Sequence, residues 1–279
     1  ELIPSDLSSI KMAFSTDLGC APVDNEIKKV FLKKIEVIKS CFNYTNNDHP
    51  NFLNIHDCFE VIRGFNYVVS HLEKVKNNKE LLGPNVIDNV ERGLKYSMKD
   101  ITWAHQEQTK IYNNFRKFFE NYDVLICPAA SVSPFPHEQL FVEEINNEIL
   151  PTYMRWLALS YAPTMAIPCA WSLPCGLDHK NLPFGIQLIA PAGNDAKLSE
   201  IALAIEDALL NYEETKRAIP DKVSFISFRA SRVLSNISSI CFRSAIKGGV
   251  TAMVSCVNLT ITPLSHILFI NSYPREPTA

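Results

Sequence analysis

Glycine is scarce in this sequence, with 9 in 279 residues, about 3% against a usual share of roughly 7%. Loops that cradle phosphates or oxyanions draw on glycine because it lets the backbone approach a ligand closely. No P-loop, GxGxxG, GxSxG or HExxH pattern occurs. The eight cysteines, at 20, 41, 58, 127, 169, 175, 241 and 256, form no CxxC pair. Scattered through apolar runs, they read as small buried hydrophobes of a reducing, cytoplasmic compartment, with no disulfide frame or zinc site. An excess of basic charge is also missing: the net charge is −3. That argues against a nucleic-acid partner and an anionic membrane surface. The N-terminus has no basic n-region or apolar h-region of a signal peptide. It starts at Glu1 and not at Met, which leads us to expect a fragment.

What is present is globular. Hydrophobic residues make up 47% and charged residues 20%, enough for one sizeable core. Lys11–Ser15 reads as a strand ending in a turn at Asp17, Gly19 and Pro22. Asp24 stands where a helix N-cap belongs. Ile27, Val30, Phe31, Ile35, Ile38, Cys41 and Phe42 then recur at helical steps, with the lysines on the other face. Asn43–Pro50 is a polar break, and Phe52 to about Val75 has helical character. Pro84 opens a long periodic segment whose face runs Val86, Val90, Leu94, Met98, Ile101, His105, Gln108, Tyr112, Phe115 and Phe119. Asp123–Cys127 reads as a buried strand stopped by Pro128. A short helix over Pro151–Tyr161, strands at Met165–Ala170 and Phe184–Ala190, and a helix from Asp195 to Tyr212 follow. The alternation points to an α/β core with a largely parallel sheet.

After Pro220 the texture changes. Residues 221–279 hold ten serines and six basic residues against two acidic ones. We read 1–220 as the folded portion and 221–279 as an anomalous, Ser-rich tail. Gly248–Pro274 carries no Lys, Arg, Asp or Glu, but Asn258, Pro263, Asn271 and several Ser and Thr argue against a membrane span.

Several short patterns mimic catalytic motifs. Ser244 and Lys247 match SxxK, without the accompanying elements that pattern needs. His56, Asp57 and Cys58 are neighbours along the chain, which says nothing of their geometry on a helix. Cys127 reads as a core thiol, and His71 and His105 as packed histidines. These residues alone assemble no active site, no metal and no cofactor.

Two stretches carry a wider pattern. Lys11-Met-Ala-Phe-Ser-Thr-Asp-Leu-Gly-Cys-Ala-Pro-Val-Asp24 resembles a mid-chain strand and turn of the amidase-signature family. The second stretch is composite. It runs from Tyr122-Asp-Val-Leu-Ile-Cys-Pro-Ala-Ala130 through Leu173-Pro-Cys-Gly176 to Leu182-Pro-Phe-Gly-Ile-Gln-Leu-Ile-Ala190 and the Asp195–Leu209 helix. In that order it is similar to the family's C-terminal half.

The resemblance, over about residues 9–214, implies part of an α/β/α sandwich around a large mixed sheet. It also implies carboxamide C–N hydrolysis by a serine nucleophile, a bridging serine in a cis peptide and a lysine base. The GGSS-type loop and the lysine are not in this sequence. Ser8-Ser9 and Ser238-Ser239 have no neighbouring glycines, so no catalytic residue carries over. Pro128, Ala129, Pro134, Tyr153 and Trp156 would face the substrate; the alternative is that the prolines shape a surface loop and Trp156 is core. Where glutamine-using members place an acidic residue, this chain has Arg155. Thr164-Met-Ala-Ile167 replaces the usual Asn and Gly before PCG. Both departures favour a general amidase. The expected partners are a small amide substrate and the missing N-terminal half, with a homodimer left open. The competing expectation is a non-catalytic interaction or scaffold protein.

Overall fold

Three mostly apolar runs, each too short for a helix, form the middle of a sheet. They are β1 (Lys11–Phe14), β3 (Val124–Pro128) and β7 (Pro183–Ala190). The edges are β2 (Tyr44–Asn47) and β6 (Cys169–Leu177), giving the order β2-β1-β3-β7-β6. The computed structural model from which this fold is read describes residues 2–216. The tail from 221 onward, including Ser244, Lys247 and the Gly248–Pro274 run, lies outside the described residues.

β1 pairs in parallel with β2 and β3, whereas β7 runs antiparallel to both β3 and β6. The sheet is therefore mixed, not largely parallel as the residue pattern suggests. The reason is local: only residues 178–182 separate β6 from β7. Asp178 Oδ1 accepts the N–H groups of Lys180 and Leu182 at 2.8 and 2.9 Å, and Asn181 takes a left-handed φ of 58°. A turn that short returns the chain antiparallel, because a parallel crossover needs a dozen or so residues.

Helices cover both faces, since every residue of β3 is buried. α1 (Asn25–Lys39) starts where Asp24 accepts the N–H groups of Glu26 and Ile27, and it buries Ile27, Phe31, Ile35 and Ile38. Together with α6 (Asp195–Leu209) it packs on the sheet. α2 (Ile55–Asn77), α3 (Pro84–Gly93), α4 (Met98–Phe118) and the short α5 (Ala158–Thr164) make up the other helical group. α2 packs against α3, α4 and α5. A small hairpin, β4 (Glu144–Ile145) with β5 (Glu148–Ile149), is tied to α1 through Asn146, which bonds Asn25 N–H and Val23 O. Residues 134–140 group apart from this body. Within them the Gln139 N–H donates to Pro136 O.

Four details differ from the sequence reading. The polar break at 43–50 contains β2, whose Tyr-Thr-Asn-Asn sequence lacks the apolar alternation of a half-buried strand. The long segment from Pro84 is two helices, because Ser97 and Asp100 form a capping box that starts a new one. That restart resets the phase. α4 buries Ala104, Glu107, Ile111, Phe115 and Phe118, while Leu94, Met98 and Tyr112 are exposed. The expected Met165–Ala170 strand begins only at Cys169, after Ile167 adopts a left-handed φ of 52°. Finally, Lys34 is buried in α1: its Nζ donates to Glu214 O and lies 5.7 Å from the Phe184 ring centre.

α2 and α3 meet through glycines. A Cβ on Gly93 would stand 2.2 Å from the Gly64 carbonyl oxygen, so any side chain there forces the helices apart.

Candidate functional site

β1, β2, β3 and β6 all point one way, so their carboxyl ends lie along one rim of the sheet. Ligands of open α/β sheets bind outside such a rim. The loop after β1 is built by Ser15, whose Oγ accepts Leu18 N–H at 2.9 Å, and by Asp17, whose Oδ1 accepts Gly19 N–H at 2.9 Å. Gly19 has φ 65°, and the His49 ring occupies the space a Cβ would need, with Cε1 only 2.2 Å away. Burial raises the Asp17 pKa, but the bond and charge of Lys28 and the Gly19 N–H outweigh it. The carboxyl is left below its ordinary value.

From this loop the Cys20 carbonyl accepts a hydrogen bond from His56 Nε2 on α2, at 3.0 Å. A carbonyl has no proton to give, so the imidazole proton sits on Nε2. Nδ1 therefore accepts from the Tyr161 hydroxyl of α5, at 2.5 Å. Phe59, also on α2, stacks on the Tyr161 ring at 4.0 Å and 6°. One turn further, Glu60 Oε1 accepts from Arg155 Nη2 at 3.3 Å and from Thr152 Oγ1 at 3.1 Å. The Arg155 Nε is buried without an acceptor among the described residues. The next turn brings Arg63, which donates to the hydroxyls of Tyr67 and Tyr153 and to Asn89 of α3. α2 thus lines one side of a half-buried cluster with a side chain from each of three successive turns.

The electrostatics follow from that burial. His56 is pushed below its ordinary value by burial and then by the Arg155 charge, so it stays neutral near pH 7. Tyr161 is pushed up by burial. The Cys20 thiol is raised to about 12 by burial and the Asp17 charge. Cys58 faces α4, where its Sγ meets Ala104 O at 3.1 Å, and it is also raised to about 12 by burial. Burial thus disfavours both thiolates, and with Cys58 turned to Ala104 O while His56 bonds Tyr161 and Cys20 O, the two are not paired. Cys127 is likewise raised to about 12 by burial, in line with a core thiol.

Of the residues expected to face a substrate, Pro128 ends β3 and is buried, and the Ala129 N–H donates to Gly185 O at 3.0 Å. Two residues on, Ser131 O accepts Asp24 N–H, while the Ser131 hydroxyl is buried without a partner among the described residues. Pro134 is exposed and belongs to the separate 134–140 segment. Tyr153 is held by Arg63 and Asn89, and Trp156 is buried in a short 3-10 turn before α5. Gln187 joins the two groups of elements: its Nε2 donates to Leu159 O on α5 at 3.2 Å and lies 3.6 Å from Cys127 Sγ on β3.

The sequence reading takes His56 only as a chain neighbour of Cys58, leaves Glu60 and Arg63 unremarked, and has Gln187 only inside a family-like stretch. A signal was available for the first three. Positions 56, 60, 63 and 67 follow one helical stripe, polar and aromatic where a simple core helix would be aliphatic. The stretch around Arg155 offers no carboxylate of its own; the fold brings Arg155 one from Glu60, 95 residues earlier.

No helix among the described residues is long and apolar enough to cross a membrane. A sequence profile of the family described as Amidase matches residues 2–198. The A subunit of the glutamyl-tRNA(Gln) amidotransferase of Streptomyces avermitilis is 34% identical over 108 residues, covering 38% of this chain and 20% of the relative. The corresponding subunit of a Synechococcus species is 35% identical over 106 residues, with the same coverage. Among solved structures, a bacterial aryl acylamidase of the amidase signature family superposes with a TM-score of 0.65. It is 17% identical and covers 74% of this chain and 44% of that one. The glutamyl-tRNA(Gln) amidotransferase A subunit from Thermotoga maritima gives a TM-score of 0.55 at 20% identity, over 80% of this chain and 47% of that one. This chain thus spans less than half of the solved structures it resembles, and about a fifth of the curated relatives it matches. On the profile match, with the mixed sheet and its helical layers in agreement, the chain belongs to the Amidase family.

Proposed function

We propose that this chain is the C-terminal part of an amidase that hydrolyses carboxamide C–N bonds, with the serine nucleophile and lysine base supplied by polypeptide outside residues 1–279. The observation that carries the reading is the placement of the family-like stretches: three of them, at Lys11–Asp24, Tyr122–Ala130 and Leu182–Ala190, form the three central strands and the turns at their rim. In this reading residues 1–220 are the amidase portion. Pro128 and Ala129 would shape the acyl side of the pocket, and the Tyr153–Trp156 segment would form a wall. The Ser131 hydroxyl, two residues after Ala129 and buried without a partner among the described residues, supports a polar contact at that rim, because an unpartnered buried hydroxyl is costly.

Arg155 favours a general amidase over one reading the free amino group of glutamine. Its charge is partly neutralised by Glu60, and the pair offers no carboxylate free of a cation. The substrate in this reading is a small amide, and the compartment is the reducing cytoplasm.

The test is turnover of a simple aryl amide together with the intact mass of the native product. The isolated 279-residue chain is expected to be inactive, and the native product to be heavier than 31.5 kDa. Turnover by the isolated chain that disappears in Ser244→Ala would sink the proposal. A second reading, a non-catalytic binding chain, draws on Cys20, Cys58 and Cys127, whose thiols burial raises to about 12 and so disfavours as nucleophiles. A native product beginning at Glu1 would favour it.

A further inference from the structure

Arg63 on α2 is a cation whose contacts among the described residues are all neutral. Its Nε donates to Asn89 Oδ1 at 3.1 Å, and its Nη2 donates to the hydroxyls of Tyr67 and Tyr153 at 2.9 and 3.1 Å. The guanidinium also lies over the Tyr67 ring, 4.5 Å from its centre. Those bonds use three of the five N–H groups of a guanidinium and leave the two on Nη1. Glu60, one turn back, is already paired with Arg155. The bonds have a second consequence. Tyr153 Oη accepts from Arg63 and from Asn89 Nδ2, and Tyr67 Oη accepts from Arg63. A phenol that accepts still has its own proton to give, and neither hydroxyl gives it to a described residue. The buried Arg155 Nε is short of an acceptor in the same way. Arg63, Tyr67 and Tyr153 are half-buried, and Arg155 and Glu60 keep 18% and 24% of their side chains exposed, so the cluster can be reached from solvent.

We propose that this cluster seats a carboxylate of the substrate, so that the amide cleaved is one carrying an acidic group at its far end. The proposal rests on the amidase reading above and narrows its substrate class. Arg63 supplies the charge through Nη1, and the Tyr67 and Tyr153 hydroxyls supply two further donors. Arg155 adds a second positive charge that Glu60 balances, so the cluster keeps an excess of one cation. A planar carboxylate matches the donor fork of a guanidinium, and an ammonium group would be repelled from it. The position sets the distance. His56 meets the rim loop at the Cys20 carbonyl, and Arg63 lies seven residues further along α2, about 10 Å at the rise of a helix. A carboxylate held there stands several bonds away from a C–N bond cleaved at the rim.

Two probes of equal length test this on the full 279-residue chain: adipamate, with a carboxylate at one end and a carboxamide at the other, and adipamide, its neutral diamide. Adipamate is expected to shift the Arg63 Nε–Hε resonance and to bind about tenfold or more tightly than adipamide. Arg63→Gln should weaken adipamate by about tenfold to a hundredfold. Tyr67→Phe keeps the ring under the guanidinium and removes only the hydroxyl, and should weaken it by about threefold to tenfold, with the fold intact by circular dichroism. Equal binding of the two probes overturns the proposal, as does adipamate binding that survives both substitutions. No binding of adipamate up to about 10 mM overturns it too, and makes Arg63 a clamp that joins α2, α3 and the Tyr153 segment. All three of these results leave the amidase reading standing, because turnover and mass of the native product decide that. A native product that turns over no amide, while adipamate still binds at Arg63, would overturn the reading and the substrate class with it.

Discussion

β3 and β6 lie two strands apart in one sheet and have opposite surroundings. All five residues of β3 are buried, with neighbours on both edges and helices on both faces. β6 has a partner on one edge and leaves Ala170, Ser172, Pro174 and Leu177 exposed. The centre of the sheet is completed by this chain's own helices, so its stability is intrinsic to these residues. The β6 flank is not completed in that way.

The contrast can be broken most severely in the centre. Ile126→Ala in β3 is expected to cost about 2–5 kcal/mol, read as a drop in urea midpoint at unchanged slope, because a fully buried cavity there has no way to fill. A loss below about 1 kcal/mol would show that the core is looser than its burial indicates. His56→Phe should cost about 1–3 kcal/mol, since it strands the Tyr161 hydroxyl and the Cys20 carbonyl in a half-buried cluster.

The same residue gives a pH signature. Its folded pKa lies below the ordinary 6.5, so the unfolded chain binds the proton more readily. Stability from neutral His56 is present above pH 6.5 and falls as the pH drops through the folded value; the Phe variant should lack this slope. A wild-type stability curve flat from about pH 7 to 5 would contradict it. At the flank the effects shrink. Ile167→Gly relieves a β-branched residue at left-handed φ and is expected to stabilise by about 1 kcal/mol, measured by thermal melting. Ser172→Val in the isolated chain should change stability by no more than about 0.5 kcal/mol. A larger loss would mean that β6 is already covered.

What the sequence made legible follows the same division. β1, β3, β7, α1 and α6 are readable because their signals are local: continuous apolar runs, an Asp N-cap, a 3.6-residue stripe. β2 has no apolar pattern to read, since it is held by register with β1 and not by burial. The α3–α4 break depends on four residues, Leu94 to Ser97, whose capping chemistry competes with an uninterrupted periodicity. The cluster around His56 was the least legible. Its partners come from positions 20, 155 and 161, and no local spacing announces contacts over 36 to 105 residues. Resemblance to a family supplied the fold and the proposed reaction class, but it could not assign side chains in a region where this chain departs from the pattern, as at Arg155 and Thr164–Ile167.

The Tyr161–His56–Cys20 chain also has a polarity. The phenol gives to Nδ1, Nε2 gives to a carbonyl, and the carbonyl has nothing to pass on. A proton entering at the phenol has no exit, so this line of hydrogen bonds is a fastener with one orientation and not a wire. Nitrogen chemical shifts of His56 would show one tautomer, frozen in place, in a residue that a catalogue of polar side chains near a rim would first nominate as a base.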